Sequence, residues 1–311
     1  MTQPASVGTL SKCAFSLANT FGAGSAQEYR EFGLKLRQEL YSTDGIRGTH
    51  SHPVERTRLG RITCSGAITL QPGKADLDLL LPLITGTPKS AGNTFLNTSG
   101  LLNETLTPFF IVANKMSGVY TYAGITAATA GCVVDSATFH IAEGEALTVT
   151  LNVEAINEYP GAAGSFPVGA TFNFQAPYMW SDCSCTIQGS TYWFKEATIT
   201  WNNNVKKDRY MNSIYRTDLP FLDRIVTVTL RTPNTSDQAA LLAYPGITAQ
   251  AFNLTATVGS ASLSIASSAL LIEPEGPDLP GREESLLPIH GRLYTSSGGT
   301  VAECTITNVS T

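Results

Sequence analysis

Charge is scarce in this chain. Asp, Glu, Lys and Arg make up 14% of its 311 residues, against roughly 25% in an average soluble domain. Thr, Ser, Ala and Gly fill the gap, which suits β structure and surfaces covered by partners. Basic charge is the scarcer sign, with 20 Lys and Arg against 25 Asp and Glu and a net charge of −5. A nucleic-acid binder normally carries a basic footprint, so specific DNA binding is not expected. No apolar run reaches the ~18 residues of a membrane-spanning helix. The start, MTQPASVGTLSKCAF, lacks the basic and apolar regions of a secretion signal. Six scattered cysteines (Cys13, Cys64, Cys132, Cys183, Cys185 and Cys304) therefore read as reduced thiols.

Catalytic signatures are missing as well. There is no G-x-S-x-G, phosphate-binding loop or paired-glycine fingerprint. Cys183 and Cys185 have no second Cys/His pair to complete a zinc site. His50 and His52 lack a third ligand, and His140 and His290 lack a nucleophile motif. Glu283 and Glu284 are neighbours on an extended segment and point apart. No enzyme, metal or cofactor is expected.

What is present is alternation of period two. Ile62, Cys64, Ile68 and Leu70 share one face of a strand over 61–71, with Thr63, Ser65, Ala67 and Thr69 on the other. Residues 137–142 and 146–153 form a hairpin around Glu143-Gly-Glu145, and 183–200 a second around Gln188-Gly189-Ser190. Residues 224–232 give a strand with Val226, Val228 and Leu230 on one face, and 300–308 a last strand. Helix is restricted to two short candidates, 74–81 stopped by Pro82 and 237–244 stopped by Pro245 and Gly246.

These elements repeat. AITLQPGKADLDLLL (67–81) and TVTLRTPNTSDQAALL (227–242) share the order strand, proline-containing turn, helix and proline stop. Upstream of each lies a polar, basic stretch with little apolar periodicity. The first holds Arg47, Arg56, Arg58 and Arg61; the second holds Lys206, Lys207, Arg209 and Arg216. A solvated hairpin or an arm pairing with a neighbouring subunit's carboxylates would fit either stretch. Two long loops at equivalent places favour the arm. The expected architecture is mainly β: two tandem β-sandwich or half-barrel domains, 1–158 and 168–311, each with a short helix and a long arm loop. The linker falls near 159–167, in Tyr159-Pro-Gly-Ala-Ala-Gly-Ser-Phe-Pro167.

Several runs resemble the major tail tube proteins of long-tailed, siphovirus-type bacteriophages. They are GIRGTHSHPVERTR (45–58), RITCSGAITL (61–70), ADLDLLLP (75–82), FKEATITWNNN (194–204) and DRIVTVTL (223–230). The resemblance implies a structural virion protein, made in the host cytoplasm and placed in the tail. It implies the fold shared with the type VI secretion tube. It also implies stacked rings whose sheets form a continuous barrel, with DNA passing through the lumen on ejection without specific binding. Partners would be other copies of the chain and the tape measure, tube tip and terminator proteins, with no membrane. The doubling suggests three chains per ring, imitating a hexamer. The lumen should be acidic or neutral and poor in aromatics, because a basic wall would hold phosphates. A β-sandwich adhesion module, or another tail or decoration protein, is the alternative.

Overall fold

The computed structural model describes residues 12–16, 25–42, 54, 57–90, 93–95, 106–115, 118–160, 172, 175–233, 248–273, 285–295 and 302–310. Nineteen strands and one α-helix occur among them. The first half contributes β1 (Lys12–Ser16), β2 (Ser25–Gln27), β3 (Tyr29–Phe32), β4 (Lys35–Ser42), β5 (Thr57–Leu70), α1 (Leu77–Thr85), β6 (Thr94–Phe95), β7 (Phe110–Lys115), β8 (Gly118–Ala123), β9 (Cys132–Ala142), β10 (Thr148–Ala155) and β11 (Asn157–Pro160). The second contributes β12 (Cys183–Ile187), β13 (Ser190–Tyr192), β14 (Glu196–Asn202), β15 (Ile225–Pro233), β16 (Gln250–Val258), β17 (Ala261–Glu273), β18 (Leu286–Leu293) and β19 (Thr305–Val309).

The strands form two sheets. The smaller runs β11-β8-β7-β1-β2. The larger has 14 strands, with a main path β13-β12-β16-β17-β18-β15-β14-β9-β10-β5-β3. The two halves meet where β14 pairs antiparallel with β9, Ile199 opposite Phe139. Reading across that junction, the run β17-β18-β15-β14 is followed by β9-β10-β5-β3. In each run a strand leading into a basic stretch pairs with the strand leaving it: β14 with β15, and β3–β4 with β5.

The expected alternation sets the core. Ile62, Cys64, Ile68 and Leu70 of β5 are buried, as are Val149, Leu151 and Val153 of β10 and Val226, Val228 and Leu230 of β15. Burying one such aliphatic side chain contributes about 1.5–3 kcal/mol. The β9–β10 hairpin turns through Gly144 at φ 79°. The turn at Gln188 (φ 51°) and Gly189 (φ 80°) joins β12 to β13, two left-handed residues as a type I′ hairpin requires. This second hairpin is shorter than expected. Its return strand ends at Tyr192, and the chain crosses to start β14 beside β9.

Helix α1 also departs from expectation, because Pro82 lies inside it. Its missing N–H removes only the bond to the Asp78 carbonyl, and its fixed φ suits the helix. The helix stops at Gly86, which takes φ 74° and donates its N–H to the Pro82 carbonyl at 2.9 Å. Leu77, Leu80, Leu81 and Ile84 are fully buried, so packing outweighs the lost bond. The second helix candidate, 237–244, falls outside the described residues, as does most of the 159–167 segment. Tyr159 and Pro160 belong to β11, which pairs with β8.

The C-terminal strand stitches the halves together. Residues Ile306 and Thr307 of β19 pair with Phe95 and Thr94 of β6. Asn308 donates its amide to the Lys74 carbonyl (3.0 Å) and the Asp78 carboxylate (2.7 Å), and Ser310 bonds Asp78 at 2.8 Å. All six cysteines are free thiols, and all but Cys183 are buried. Burial pushes the Cys185 and Cys304 thiols up to about 12.

Candidate functional surface

One face of the large sheet is buried; the other is a hydroxyl surface. A row of threonines crosses five strands: Thr69 opposite Thr150, Thr150 opposite Thr138, Thr138 opposite Thr200, and Thr200 opposite Thr227. The next row reads Thr148, His140, Thr198, Thr229 and His290. The hydroxyls bond across strands, Thr69 to Thr150 at 3.4 Å, His140 Nδ1 to Thr198 at 3.0 Å and Thr229 to His290 Nδ1 at 3.2 Å. His140 and His290 are thus members of a hydroxyl ladder, each beside a threonine. The face has no Phe, Tyr or Trp on β9, β10, β14 or β15, because the aromatic Phe139 and Trp201 point to the core. Charge lies around this hydroxyl patch: the first row ends on Arg292, opposite Thr227, and Glu196 lies 3.6 Å from Arg231.

The basic stretch 203–224 lies over one end of this face. Its first turn is fixed by Asn203, which is buried. The Asn203 amide donates to the Ile84 carbonyl at the end of α1 and to the Val134 carbonyl of β9, both at 3.0 Å. Its own carbonyl accepts the Trp201 indole N–H at 3.0 Å. Asn204 follows at φ 47°, a left-handed conformation that asparagine tolerates. The chain then doubles back, with the Lys206 N–H bonded to the Pro220 carbonyl and the Thr217 N–H to the Arg209 carbonyl. Its tip joins β5 through the Ile62 N–H to the Ile214 carbonyl at 2.8 Å. Arg61 stacks over Tyr210 at 5.2 Å.

The cations of this stretch pair within the chain. Arg216 reaches Glu154 at 2.6 Å, with 5% and 9% of the two side chains exposed. Lys207 meets Asp135 at 2.7 Å and Glu154 at 3.2 Å. Burial lowers the Lys207 ammonium and the two carboxylates raise it, with a net direction upward; Arg216 behaves likewise beside Glu154. Arg209 pairs with Asp218 at 3.1 Å, and Lys206 lies 3.8 Å from Asp208. Asp135 occupies a bulge in β9, where Ser136 faces Asn152 but Val134 faces Val153. The sequence singled out the cations but not these carboxylates. Their only local signal is a break in alternation at Val133-Val134-Asp135 and an acidic residue closing the β10 pattern.

The first basic stretch is built differently. β4 and the first part of β5 form a two-stranded ribbon, Lys35 opposite Ser65 through to Ser42 opposite Thr57. Its side chains are mostly exposed, including Leu40 (67%), Tyr41 (51%) and Leu59 (62%). Arg58 and Arg61 lie on this ribbon, both exposed. Arg47, Arg56, His50 and His52 lie outside the described residues. The ribbon base is closely packed, for a Cβ on Gly66 would meet the Gly33 carbonyl oxygen at 2.3 Å.

No cluster of three or more His, Cys, Asp or Glu suited to a metal occurs among the described residues. No described helix is long and apolar enough to cross a membrane. A search of the curated proteins found no match. The family model described as phage tail tube protein matches residues 5–289. A mainly β chain with large antiparallel sheets and a match over nearly its whole length, this protein belongs to the phage tail tube protein family, a structural component of the virion tail.

Proposed function

We propose that the chain polymerises as stacked rings into the tube of a long-tailed phage, the conduit for genome ejection, with three chains per ring. The observation that carries this reading is the repeated sheet order. Two runs of four strands follow each other in the same sense, and the pairing of β16 with β17 stops at Leu270, so a further chain added the same way would continue the sheet along Leu271–Glu273. Head-to-tail addition of this kind closes into a ring when the rotation per unit allows. The same order supports an internal duplication, with Thr69 and Thr229 at matching places on β5 and β15 and buried aliphatics on either side of each.

In this arrangement the hydroxyl face lines the lumen. Hydroxyls and amides give DNA weak, exchangeable contacts, whereas Lys and Arg would hold it by counterion release. The basic stretches then serve assembly rather than DNA. Arg58 and Arg61 are carried on the exposed ribbon, while Lys206, Lys207, Arg209 and Arg216 belong to the stretch packed on the first half. The tape measure, tube tip and terminator proteins would meet the ends of such a tube. Negative-stain imaging and native mass spectrometry of the purified protein test the reading. Tubes or rings with masses in multiples of three chains support it, and a monomer at high concentration with no rings refutes it.

A further inference from the structure

The two halves carry matching arms; among the described residues 203–224 is the arm seated on a sheet face of its own chain, and the ribbon meets that arm at Arg61 and Ile62. Strand register fixes the correspondence. Lys35 opposite Ser65 in the first half matches Asn202 opposite Ile225 in the second. Buried Leu34 then corresponds to buried Trp201, and Leu40 to Lys207. The same matching applies to the surface beneath. Thr150, opposite Thr69, corresponds to His290, opposite Thr229. Val153 then matches Leu293, both buried, and Glu154 matches Tyr294.

The chemistry changes on both sides together. Where the second arm carries Lys207, the ribbon carries exposed Leu40. Where the first half offers Glu154, the second offers Tyr294, which is 39% exposed. The other partner of Lys207, Asp135, is a bulge residue. β17 passes the equivalent place without a bulge, Leu270 opposite Leu293 and Leu271 opposite Arg292. Arg292 stacks on Tyr294 at 5.0 Å and has a buried Nε with no hydrogen-bond partner among the described residues. A cationic contact inside the chain thus has an apolar counterpart whose two sides are separated by β15, β14, β9 and β10 in the strand order.

We propose that the ribbon of one copy seats on the end of β17 and β18 of a second copy. Leu40 and Tyr41 pack on Tyr294 and Leu271, and Glu39 approaches Arg292. The contact repeats between chains the docking that 203–224 makes on Glu154 within one. Donor and acceptor surfaces differ, so the contact is heterologous and propagates from copy to copy. The inference rests on the tail tube reading and on the correspondence of the halves.

The test is a charge exchange that rebuilds the internal pair between chains. Leu40→Lys alone and Tyr294→Glu alone should each raise the concentration needed for polymerisation roughly tenfold, the effect of one modest hot-spot residue. The double variant should recover most of that loss. A photo-crosslinking residue at position 40 of assembled wild-type protein should give an intermolecular crosslink to the 286–295 peptide. Circular dichroism and the melting temperature of each variant separate misfolding from lost assembly. Rings with a crosslink elsewhere, or additive losses in the double variant, overturn the seat and leave the tail tube reading standing. Wild-type protein that forms no rings overturns both.

Discussion

Replacing Glu154 by Gln should detach the 203–224 arm from the sheet. Glu154 holds Arg216 at 2.6 Å and Lys207 at 3.2 Å, and the Glu154 and Arg216 side chains are only 9% and 5% exposed. Two unit charges at about 4 Å interact by about 4 kcal/mol at an effective dielectric constant near 20. Removing one member of a buried pair costs about 3–5 kcal/mol, since the survivor stays charged and desolvated. Gln keeps the shape and can accept one hydrogen bond, and Lys207 keeps Asp135 at 2.7 Å. The cost should therefore fall at the lower end, about 3 kcal/mol. Trp201 bonds Asn203 at the root of the arm, so its fluorescence in a urea titration reports the loss. Limited proteolysis should cut within 203–224 faster than in the wild type. Glu154→Leu with Arg216→Met removes both charges and should return to within about 1 kcal/mol of the wild type. If Glu154→Gln left stability and proteolysis unchanged, or the double variant fell as far as the single one, the ion pair would not be what fixes the arm.

Asn203→Ala removes three hydrogen bonds at a buried site and strands the Ile84 and Val134 carbonyls, so it should cost about 2–4 kcal/mol in chemical denaturation. Gly66→Ala forces a Cβ against the Gly33 carbonyl and the Leu34 backbone. It should destabilise the β3–β5 pairing by about 1–3 kcal/mol, read as faster amide exchange in 29–36. Thiol titration of the native protein should find at most one reactive cysteine, Cys183, with the other five reacting only on unfolding. Lys207 has a folded value raised above the ordinary 10.5, so its contribution is full at neutral pH and is lost as pH climbs beyond that value. Protection of the arm from proteolysis should therefore fall on the alkaline side of 10.5 in the wild type, and Lys207→Met should show that lower protection already at neutral pH.

Much of the sheet was legible because alternation is a local property. Ile68, Val149, Val228 and their neighbours face the core as their period predicts. The turns at Gly144 and Gly189 were legible for the same reason, since each needs a residue with positive φ. The helix runs on through Pro82 because a buried helix tolerates one missing hydrogen bond when Leu77, Leu80, Leu81 and Leu83 pack into the core. The end of the 183–200 hairpin is not legible locally, because only pairing with β9, more than 50 residues earlier, decides where the strand after Tyr192 lies. The pairing of β14 with β9 and of β19 with β6 has no local signal at all. The basic residues of the second stretch stand out by composition, but Asp135 and Glu154, the partners of Lys207 and Arg216, lie 72 and 62 residues away and become visible only in the fold.

The most direct test of the ring arrangement is a cryo-electron microscopy reconstruction of the assembled protein. The expected result is stacked rings of three chains, with the row Thr69, Thr150, Thr138, Thr200 and Thr227 facing the channel and the buried face of the large sheet turned outward. Six chains per ring, or a channel lined by the arms with the threonine row on the outside, would contradict it.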